Sequence, residues 1–301
     1  MASAKTRSRE FLPQQDAFPP PYTWDVSQTL PAIALIGTGK MGGAILDGLR
    51  QPGVNVSSLR ATTQSEATAG LLREKGVDAR SVEADPDANE WAVTGAHIVV
   101  LAVKPRYILE VAQSLAHVLE PDAVVVSVAA GITTADIEEV TRRAVVRAMP
   151  NTPSQIRQGV TGVAGGARVS PEQLHATEAL FELVGDVVTV HEEDINVLSA
   201  LSGSGPAYLF YVAEKMMDVA THHGFSAEQA RTMVQGTLLG AAALLEESGE
   251  TPQDLRRAVT SPGGTTEQAI AVFDEHHLGD VFHEAVDRAV ARAIEMSKKS
   301  D

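Results

Sequence analysis

A glycine pattern of the form G-x-G-x-x-G follows a short apolar run at residues 32–36 and opens a helical pattern. Its six residues are Gly37, Thr38, Gly39, Lys40, Met41 and Gly42. In such a motif the first glycine makes a tight turn, the second lets a pyrophosphate approach the backbone, and the third lets helix and strand pack closely. The amides of the helix N-terminus then bind the phosphates. The pattern therefore predicts dinucleotide binding, and the alternative is a merely tight turn.

The turn after the second predicted strand bears on which dinucleotide is bound. It reads Arg60, Ala61, Thr62, Thr63, Gln64 and Ser65. NAD-binding sites place an Asp or Glu at this point to bind the ribose 2′-hydroxyl, and here no acid occurs before Glu66. A cationic, hydroxyl-rich turn suits a 2′-phosphate, so we expect NADPH, with NADH as a weaker cofactor. The alternative for Arg60 is an ordinary solvated surface charge.

Three further apolar runs end in segments that would contact the same ligand. The segments are Val103-Lys104-Pro105, Ala129-Ala130-Gly131 and residues 149–153, which include Asn151. In open sheets of parallel strands, ligands bind outside the carboxyl ends of the strands. Small residues at positions 129–131 would let the nicotinamide half of the cofactor pass near the backbone. Lys104 is a candidate catalytic acid, but its place beside a proline favours a structural or phosphate-contacting role.

Two segments in the second half combine hydroxyl side chains with flexible glycines. The first, at residues 201–208, reads L-S-G-S-G-P-A-Y. The second comprises Ser261, Pro262, Gly263, Gly264, Thr265 and Thr266. Backbone amides of the second segment, directly before a helical pattern, can bind a carboxylate. The alternative for each segment is an interhelical turn. The acidic run at residues 192–194 is interpreted as a helix N-terminus, with proximity to a substrate as the second interpretation.

These motifs need a scaffold in which strand ends meet, and alternating strands and helices provide one. Apolar runs typical of buried strands occur at residues 32–36, 58–62, 98–103, 123–128 and 144–148. Helical patterns lie between several of them, for example at residues 66–75 and 107–119. This alternation indicates a parallel, doubly wound sheet of the Rossmann type. Two more strands, at residues 159–164 and 187–190, would extend that sheet.

The strand patterns stop near residue 191, and the remainder reads as helical. Ser226 with Gln229 predicts a capping box, and Thr251 followed by Pro252 predicts another helix start. Helical patterns also cover residues 265–274 and 280–296. Because these helices are apolar over much of their circumference, we expect them to bury a second face against another copy of the chain. A helical bundle within one chain is the alternative.

Three regions follow from these patterns. We expect a mobile tail at residues 1–30, a dinucleotide-binding domain at 31–190, and a helical dimerisation and substrate domain at 191–301. The tail begins with scattered cations and then becomes proline-rich without an apolar segment, which differs from a secretory signal. An arm that docks on an oligomer is the alternative for the tail.

Composition narrows the classes of partner. The chain has 301 residues and a formal charge of -15. An acidic surface repels phosphate backbones and anionic lipids, which argues against nucleic acid and membrane partners. No apolar stretch approaches the roughly 20 residues that span a bilayer. Cysteine is absent, which excludes disulfides and thiolate ligands and is typical of a cytoplasmic protein. The histidines show no metal-binding spacing, so no metal is expected.

Together the motifs resemble those of the pyrroline-5-carboxylate reductase family. The resemblance covers residues 32–296, and its most specific motifs are S-G-S-G-P-A-Y at 202–208 and S-P-G-G-T-T at 261–266. It implies NADPH-dependent reduction of 1-pyrroline-5-carboxylate to L-proline, the final step of proline biosynthesis. It also implies an N-terminal Rossmann domain, a helical dimerisation domain, and dimers that commonly assemble into decamers.

The resemblance further implies contacts to the cofactor. The glycine pattern would hold the pyrophosphate. Residues near the adenosine ribose and its phosphate would be Thr62, Thr63, Gln64 and Asn89. The cofactor cleft would be lined by Ala102, Val103, Lys104, Pro105, Val128, Ala129 and Ala130. Asn151 of the M-x-N-T-P motif is counted with these cofactor contacts.

Contacts to the substrate are implied in the same way. The loop at residues 261–266 would hold the substrate carboxylate and ring nitrogen, and it would be contributed across the dimer interface. Thr266 would orient the nitrogen, and the acid near the substrate would be Glu192 or Glu193. Two other functions stay open at this point. A β-hydroxyacid dehydrogenase needs a helix lysine beside the substrate, and a non-catalytic NADPH-binding sensor would not need two substrate-type loops.

Overall fold

One eight-stranded sheet organises the first half of the chain in the computed structural model, which describes residues 29–298. The strands are β1 (Ile33–Ile36), β2 (Leu59–Thr63), β3 (Asp78–Ser81), β4 (Ile98–Leu101), β5 (Val124–Ser127), β6 (Ala144–Met149), β7 (Gly159–Gly165) and β8 (Gly185–Thr189). Their order is β3-β2-β1-β4-β5-β6-β7-β8. The first six strands are parallel, β7 is antiparallel to β6, and β8 is parallel to β7. The predicted doubly wound sheet and its two-strand extension are confirmed.

Strand β3 is missing from the strands predicted by the sequence. It has only four residues, lies at the edge of the sheet, and alternates exposed Asp78 and Arg80 with buried Ala79 and Ser81. Such a short, half-exposed edge strand lacks the continuous apolar run that marks a buried parallel strand. Its carboxyl end nevertheless adds residues to the site described below.

Helices cover both faces of the sheet. They are α1 (Lys40–Leu49), α2 (Glu66–Glu74), α3 (Ala88–Val93), α4 (Ile108–Leu115), α5 (Thr134–Thr141) and α6 (Pro171–Glu182). Successive residues of a strand point to opposite faces, so Leu35 of β1 enters one core layer and Ile36 enters the other. Ile45 and Phe181 belong to the first layer, and Ile108 belongs to the second. This two-layer core holds the strand ends in register.

The second half is helical, as predicted. It contains α7 (Ile195–Leu198), a π-helical turn (Ser199–Gly203), α8 (Gly205–His222), α9 (Ala227–Ser248), α10 (Pro252–Ala258), α11 (Thr265–Glu275) and α12 (Leu278–Lys298). The predicted capping box of Ser226 and Gln229 is present, and Thr251 caps α10. The segment at residues 201–208 belongs to a continuous helical stretch, so the alternative given for it, an interhelical turn, is wrong. The stretch passes through the π turn, and the Tyr208 hydroxyl donates to the Ala200 carbonyl at 2.9 Å.

Large apolar side chains of these helices are exposed in the single chain. Leu239 is 72% exposed and Phe210 is 69% exposed. Helices α8, α10 and α11 bury no residue, and α9 buries only Ala230 and Val234. An apolar face of this extent marks a protein contact surface. No helix within residues 29–298 is long and apolar enough to cross a membrane.

The boundary of the predicted tail needs a correction at its end. Leu30 pairs with Val56 beside β1 and β2 and is only 2% exposed. Its amide donates to the Asn55 carbonyl at 2.8 Å, and its carbonyl accepts from the Ser57 amide at 2.9 Å. Leu30 therefore belongs to the folded domain. Of the rest of the tail prediction, Thr29 is exposed and residues 1–28 lie outside the described residues.

Candidate active site

The turn between β1 and α1 is shaped by its three glycines. Gly37 has a φ of +93°, a conformation that residues with side chains rarely adopt. A Cβ on Gly42 would lie 2.1 Å from the Gly37 carbonyl oxygen, so only glycine lets α1 start this close to β1. A Cβ on Gly39 would meet nothing within 4 Å. Since Gly39 lines the adjoining cleft, its missing side chain leaves space for a ligand.

A cleft of about 800 Å³ opens at this turn, on the carboxyl edge of the parallel strands. The predicted cofactor residues that line it are Gly37, Thr38, Gly39, Thr62, Thr63, Gln64, Asn89, Ala102, Val103 and Lys104. Two buried atoms here, Thr38 Oγ1 and Asn89 Oδ1, have no hydrogen-bond partner within residues 29–298. Buried polar atoms are rarely left unpaired, so they indicate a polar ligand. A dinucleotide fits both the volume and these groups.

Acidic groups lie nearer to the β2 end of the cleft than the sequence suggests. Glu83, which follows β3, accepts a hydrogen bond from the Glu66 amide at the start of α2, at 2.9 Å. The Glu66 carboxylate is itself bound by the Ser81 hydroxyl at 2.7 Å and by Arg73. The Ser81 hydrogen bond and then Arg73 lower the pKa of Glu66. Sequence reasoning missed Glu83 because its strand, β3, carries too weak a pattern to be predicted.

Arg60 does not line the cleft, and its phosphate contact stays a prediction from the sequence. Its guanidinium donates to the carbonyls of Trp91 at 2.8 Å and Thr94 at 3.1 Å, at the end of α3. It also lies 5.2 Å from the centre of the Trp91 ring. Arg60 lies near the start of β2, whereas cofactors bind near strand ends. Its role is to hold α3 against β2.

Several other predicted cofactor residues also lie away from the cleft lining. Lys40 is exposed on the first turn of α1, and Pro105 is exposed at the start of a 3-10 turn. Met41 and Val128 pack against one core layer, and Ala129 is buried in the other. The cofactor contacts of these residues stay predictions from the sequence.

A second, smaller cavity of about 240 Å³ lies between the sheet and the helical half. Ala130 and Gly131 form one side, Met149 lies at the end of β6, and Ser199 and Ser204 come from the π turn and its end. Residues of α12 complete the lining. Because Ala130 is a predicted neighbour of the nicotinamide, we expect the cofactor end of the site to meet the helices at this cavity.

Asn151 links three parts of the chain, and its cofactor contact stays a prediction. Its side-chain amide donates to the Ser202 carbonyl at 3.1 Å and to the Ser202 hydroxyl at 3.3 Å. Its side-chain carbonyl accepts from the Val160 amide at 2.9 Å. Both polar ends of this buried side chain are therefore used within the protein. Asn151 fixes the π turn against the end of β6 and the start of β7.

Glu192 is likewise engaged within the chain, and its substrate contact stays a prediction. Its carboxylate accepts from the Thr134 amide at 2.8 Å and from the Thr134 hydroxyl at 2.6 Å. It also lies 3.6 Å from the Arg147 guanidinium, whose side chain is only 3% exposed. Burial lowers the pKa of Arg147, and the charge of Glu192 opposes that effect. Glu193 forms no side-chain hydrogen bond or ion pair within residues 29–298.

The loop at residues 261–266 lies between α10 and the N-terminus of α11. Gly263 has a φ of +73°, and the Gly264 amide donates to the Ser261 carbonyl at 2.9 Å. The Gly263 amide donates to the Glu267 carboxylate at 2.7 Å. Thr266 is half-buried in the first turn of α11. No residue of this loop lines either of the two cavities of its own chain.

Comparison with known proteins places this architecture in a family. A pyrroline-5-carboxylate reductase from Pseudomonas aeruginosa is 38% identical over 273 residues, which cover 89% of this chain and 98% of that protein. The chain belongs to the pyrroline-5-carboxylate reductase family. A family model described as pyrroline-5-carboxylate reductase dimerisation matches residues 192–296. A second model, described as NADP oxidoreductase coenzyme F420-dependent, matches residues 32–131.

Solved structures agree with this membership. A pyrroline-5-carboxylate reductase from Coxiella burnetii is similar with a TM-score of 0.81 and 37% identity, covering 89% of this chain and 99% of that one. The Plasmodium falciparum pyrroline carboxylate reductase with NADP bound shares the fold, with a TM-score of 0.76 and 23% identity over 88% of this chain and 97% of that one. The predicted fold class, a Rossmann-type sheet followed by a helical dimerisation domain, is confirmed. The match to the dimerisation domain and the exposed apolar helices support self-association.

Proposed function

We propose that this protein reduces 1-pyrroline-5-carboxylate to L-proline with NADPH as the hydride donor. The observation that carries the proposal is the pair of buried, unpaired oxygens of Thr38 and Asn89 at the glycine turn. In a chain of the pyrroline-5-carboxylate reductase family, these atoms are suited to a cofactor that the fold must bind before it can reduce an imine. The cytoplasm is its expected location.

The preference for NADPH over NADH rests on the groups around the β2 end of the cleft. Thr62, Thr63, Ser65 and Thr68 line it with hydroxyls, and Gln64 presents an amide. The Thr63 hydroxyl already donates to the Ser65 carbonyl at 2.7 Å, and the Ser65 and Thr68 hydroxyls share a hydrogen bond of 3.0 Å. Glu66, the first acid in the sequence after β2, is bound by Ser81 and Arg73 and lies outside the cleft lining. Hydroxyl and amide donors suit a 2′-phosphate better than a 2′-hydroxyl. These groups support NADPH, with NADH as the weaker cofactor.

The reaction needs a hydride at the imine carbon and a proton at the ring nitrogen, and the nicotinamide supplies the hydride when bound. The chain supplies binding and orientation. The loop at residues 261–266 holds the substrate carboxylate through the Thr265 amide and the Ser261 hydroxyl, while the Thr266 hydroxyl orients the nitrogen. The Gly263 and Gly264 amides already donate to the Glu267 carboxylate and the Ser261 carbonyl and shape the loop. Alignment of two reactants in a closed site is worth about 7–11 kcal/mol of the barrier. We assign no side chain as the proton source, because a threonine hydroxyl is too weak an acid.

The substrate loop is proposed to act across the dimer. The loop at residues 261–266 does not line the cavities of its own chain, and α10 and α11 bury none of their residues. Pairing through α8–α12 would bring the loop of one protomer to the cofactor cleft of its partner. Glu193 remains a candidate for the acid near the substrate. Assembly of dimers into a decamer is also part of this proposal.

The test is a coupled measurement on the purified full chain. Incubation with NADPH and 1-pyrroline-5-carboxylate should give loss of absorbance by NADPH and equimolar formation of L-proline. A β-hydroxyacid dehydrogenase would instead oxidise a hydroxyacid with NADP⁺ and leave the imine untouched. A sensor would bind NADPH without turnover. Binding of NADPH without proline formation would therefore refute the proposed reaction.

A further inference from the structure

The cofactor cleft contains two cations, both on the side that follows β4. Of the residues that line it, Lys104 and Arg106 carry positive charge, and both are exposed. A protein with a formal charge of -15 repels anions at long range. A cofactor that carries a 2′-phosphate therefore needs a cation close to that phosphate.

The arginines on the β2 side do not provide this cation. Arg60 is bound to carbonyls at the end of α3, and Arg73 is bound to Glu66 and to the Ala79 carbonyl. Arg80 pairs with Asp85 at 2.9 Å and stacks over Trp91. None of the three lines the cleft.

Arg106 is held in a defined orientation by its neighbour. Its guanidinium carbon lies 4.7 Å from the centre of the Tyr107 ring, and the guanidinium donates to the Tyr107 hydroxyl at 3.0 Å. No carboxylate within residues 29–298 lies within 4 Å of Arg106, although Glu110 lines the same cleft one helical turn further on. A planar guanidinium stacked on a ring keeps its remaining donors free in a fixed fork that matches a phosphate.

The sheet order places Arg106 within reach of the hydroxyl-rich turn. β2 and β4 are the two neighbours of β1, so their ends lie about 10 Å apart at a strand spacing of about 4.8 Å. The residues after β2 and the pair Arg106 and Tyr107 line the same cleft, and the sheet order puts them on either side of the turn that follows β1. An adenosine lying between them would present its 2′ substituent to both.

We propose that Arg106, oriented by Tyr107, binds the 2′-phosphate of NADPH and determines the preference for the phosphorylated cofactor. This inference rests on the proposed function only through the identity of the cofactor. The inference places recognition of the phosphate charge at the turn after β4, opposite the hydroxyl groups of Thr62 to Ser65.

The test compares dissociation constants, measured by calorimetry, for NADP⁺, NAD⁺ and 2′,5′-ADP. The change Arg106→Gln should raise the dissociation constants for NADP⁺ and 2′,5′-ADP by about tenfold. The dissociation constant for NAD⁺ should change by less than about twofold. The change Arg106→Lys keeps a point charge and should restore part of the affinity. The change Tyr107→Phe should weaken NADP⁺ by a smaller factor, because the guanidinium loses the hydroxyl that orients it. Raising the salt concentration should reduce the difference between wild type and Arg106→Gln.

The matched control is Arg168→Gln. Arg168 follows β7, which is antiparallel to β6 and therefore runs away from the cleft edge of the sheet. This change removes the same charge from the chain and should leave all three constants unchanged. Equal weakening of NADP⁺ and NAD⁺ by Arg106→Gln, or equal effects of the two glutamine variants, would overturn the inference. If wild type binds NADP⁺ but forms no proline, the proposed reaction fails while this recognition stands.

Discussion

Glu192 is hydrogen-bonded to Thr134, a residue 58 positions earlier in the chain, through both the amide and the hydroxyl of that threonine. The contact joins the connection between the two domains to the first turn of α5, directly after the Ala129–Gly131 segment. A negative charge is favourable at a helix N-terminus, and the buried Arg147 lies 3.6 Å away. One carboxylate therefore fixes the helical half, the sheet and the predicted nicotinamide segment relative to one another.

Replacing Glu192 by alanine should destabilise the fold strongly. Removing one partner of a buried ion pair costs about 3–5 kcal/mol, and because the Glu192 side chain is 27% exposed we expect about 2–3 kcal/mol. Denaturant unfolding measures this change in the free energy of unfolding. The adjacent Glu193→Ala variant should change stability by less than about 0.5 kcal/mol. Similar losses for both variants would contradict the structural role of Glu192.

Two glycines of the same motif should respond differently to alanine. Gly42→Ala places a Cβ against the Gly37 carbonyl, so it should lower the free energy of unfolding by about 1–3 kcal/mol. Gly39 has a φ of -67°, and a Cβ added there would have open space around it. Gly39→Ala should therefore keep or slightly raise stability while weakening NADP⁺ about tenfold or more, since the methyl group occupies ligand space. Thermal unfolding with and without NADP⁺ separates the two effects.

Removing the charge of Glu83 should sharpen the cofactor preference. Its carboxylate accepts a hydrogen bond from the Glu66 amide. This amide is at the turn that we propose contacts the 2′-phosphate. An exposed charge interaction is worth about 0.2–1 kcal/mol. Glu83→Gln should therefore raise the ratio of the NADH to the NADPH dissociation constant by about two- to fivefold. Glu74→Gln, at the other end of α2, is the matched change and should leave the ratio as in wild type.

A charge on the exposed apolar face should separate the protomers. Leu239→Glu would place a carboxylate among residues that we expect another copy to cover, and burying an unpaired charge is strongly unfavourable. Light scattering should then detect a species near the 31.8 kDa of one chain. Leu71→Glu, on α2 of the sheet domain and 59% exposed, should assemble normally. An active, assembled Leu239→Glu protein would refute pairing through this face.

Replacing Thr266 should reduce turnover of the substrate and leave cofactor binding unchanged. Loss of its proposed hydrogen bond to the ring nitrogen should lower kcat/KM by about tenfold to hundredfold in Thr266→Ala. The dissociation constant for NADP⁺ should stay unchanged, and Thr266→Ser should keep most activity. Thr232→Ala, which removes a hydroxyl bound within α9 to the Glu228 carbonyl, is the control. Collapse of cofactor affinity in Thr266→Ala would refute the assignment of the loop to substrate.

The features predicted well from the sequence are local ones. The glycine turn, the Ser226 capping box and the buried strands follow from a few adjacent residues, because turn geometry and apolar periodicity operate over short distances. The apolar surface of the helices was also predictable, since helix periodicity reveals a face that one chain leaves uncovered. The pairing of strands β7 and β8 with the main sheet followed from their apolar pattern.

The features that the sequence left undetermined depend on long-range contacts. Arg60 appeared to be a phosphate contact because the sequence does not reveal that the end of α3 lies beside it. Glu192 and Asn151 have suitable chemistry for a ligand, yet their hydrogen bonds go to Thr134 and Ser202, which are more than 50 residues away. The sequence gives no reason to select Arg106 as a cofactor contact, because only the order of the strands places it opposite the turn after β2.

The uncovered helical face has a consequence for how the protein is made. The sheet domain precedes it in the chain and contains its own two-layer core, so it can fold while the helices are still being synthesised. Helices α8 to α11 bury almost nothing by themselves and must wait for a second chain. The last stage of maturation is therefore bimolecular, and its rate depends on how many nascent chains are present together. At low expression the unpaired chain should expose its apolar helices to chaperones and proteases for a longer time. Synthesis of two chains by neighbouring ribosomes on one mRNA would shorten that time.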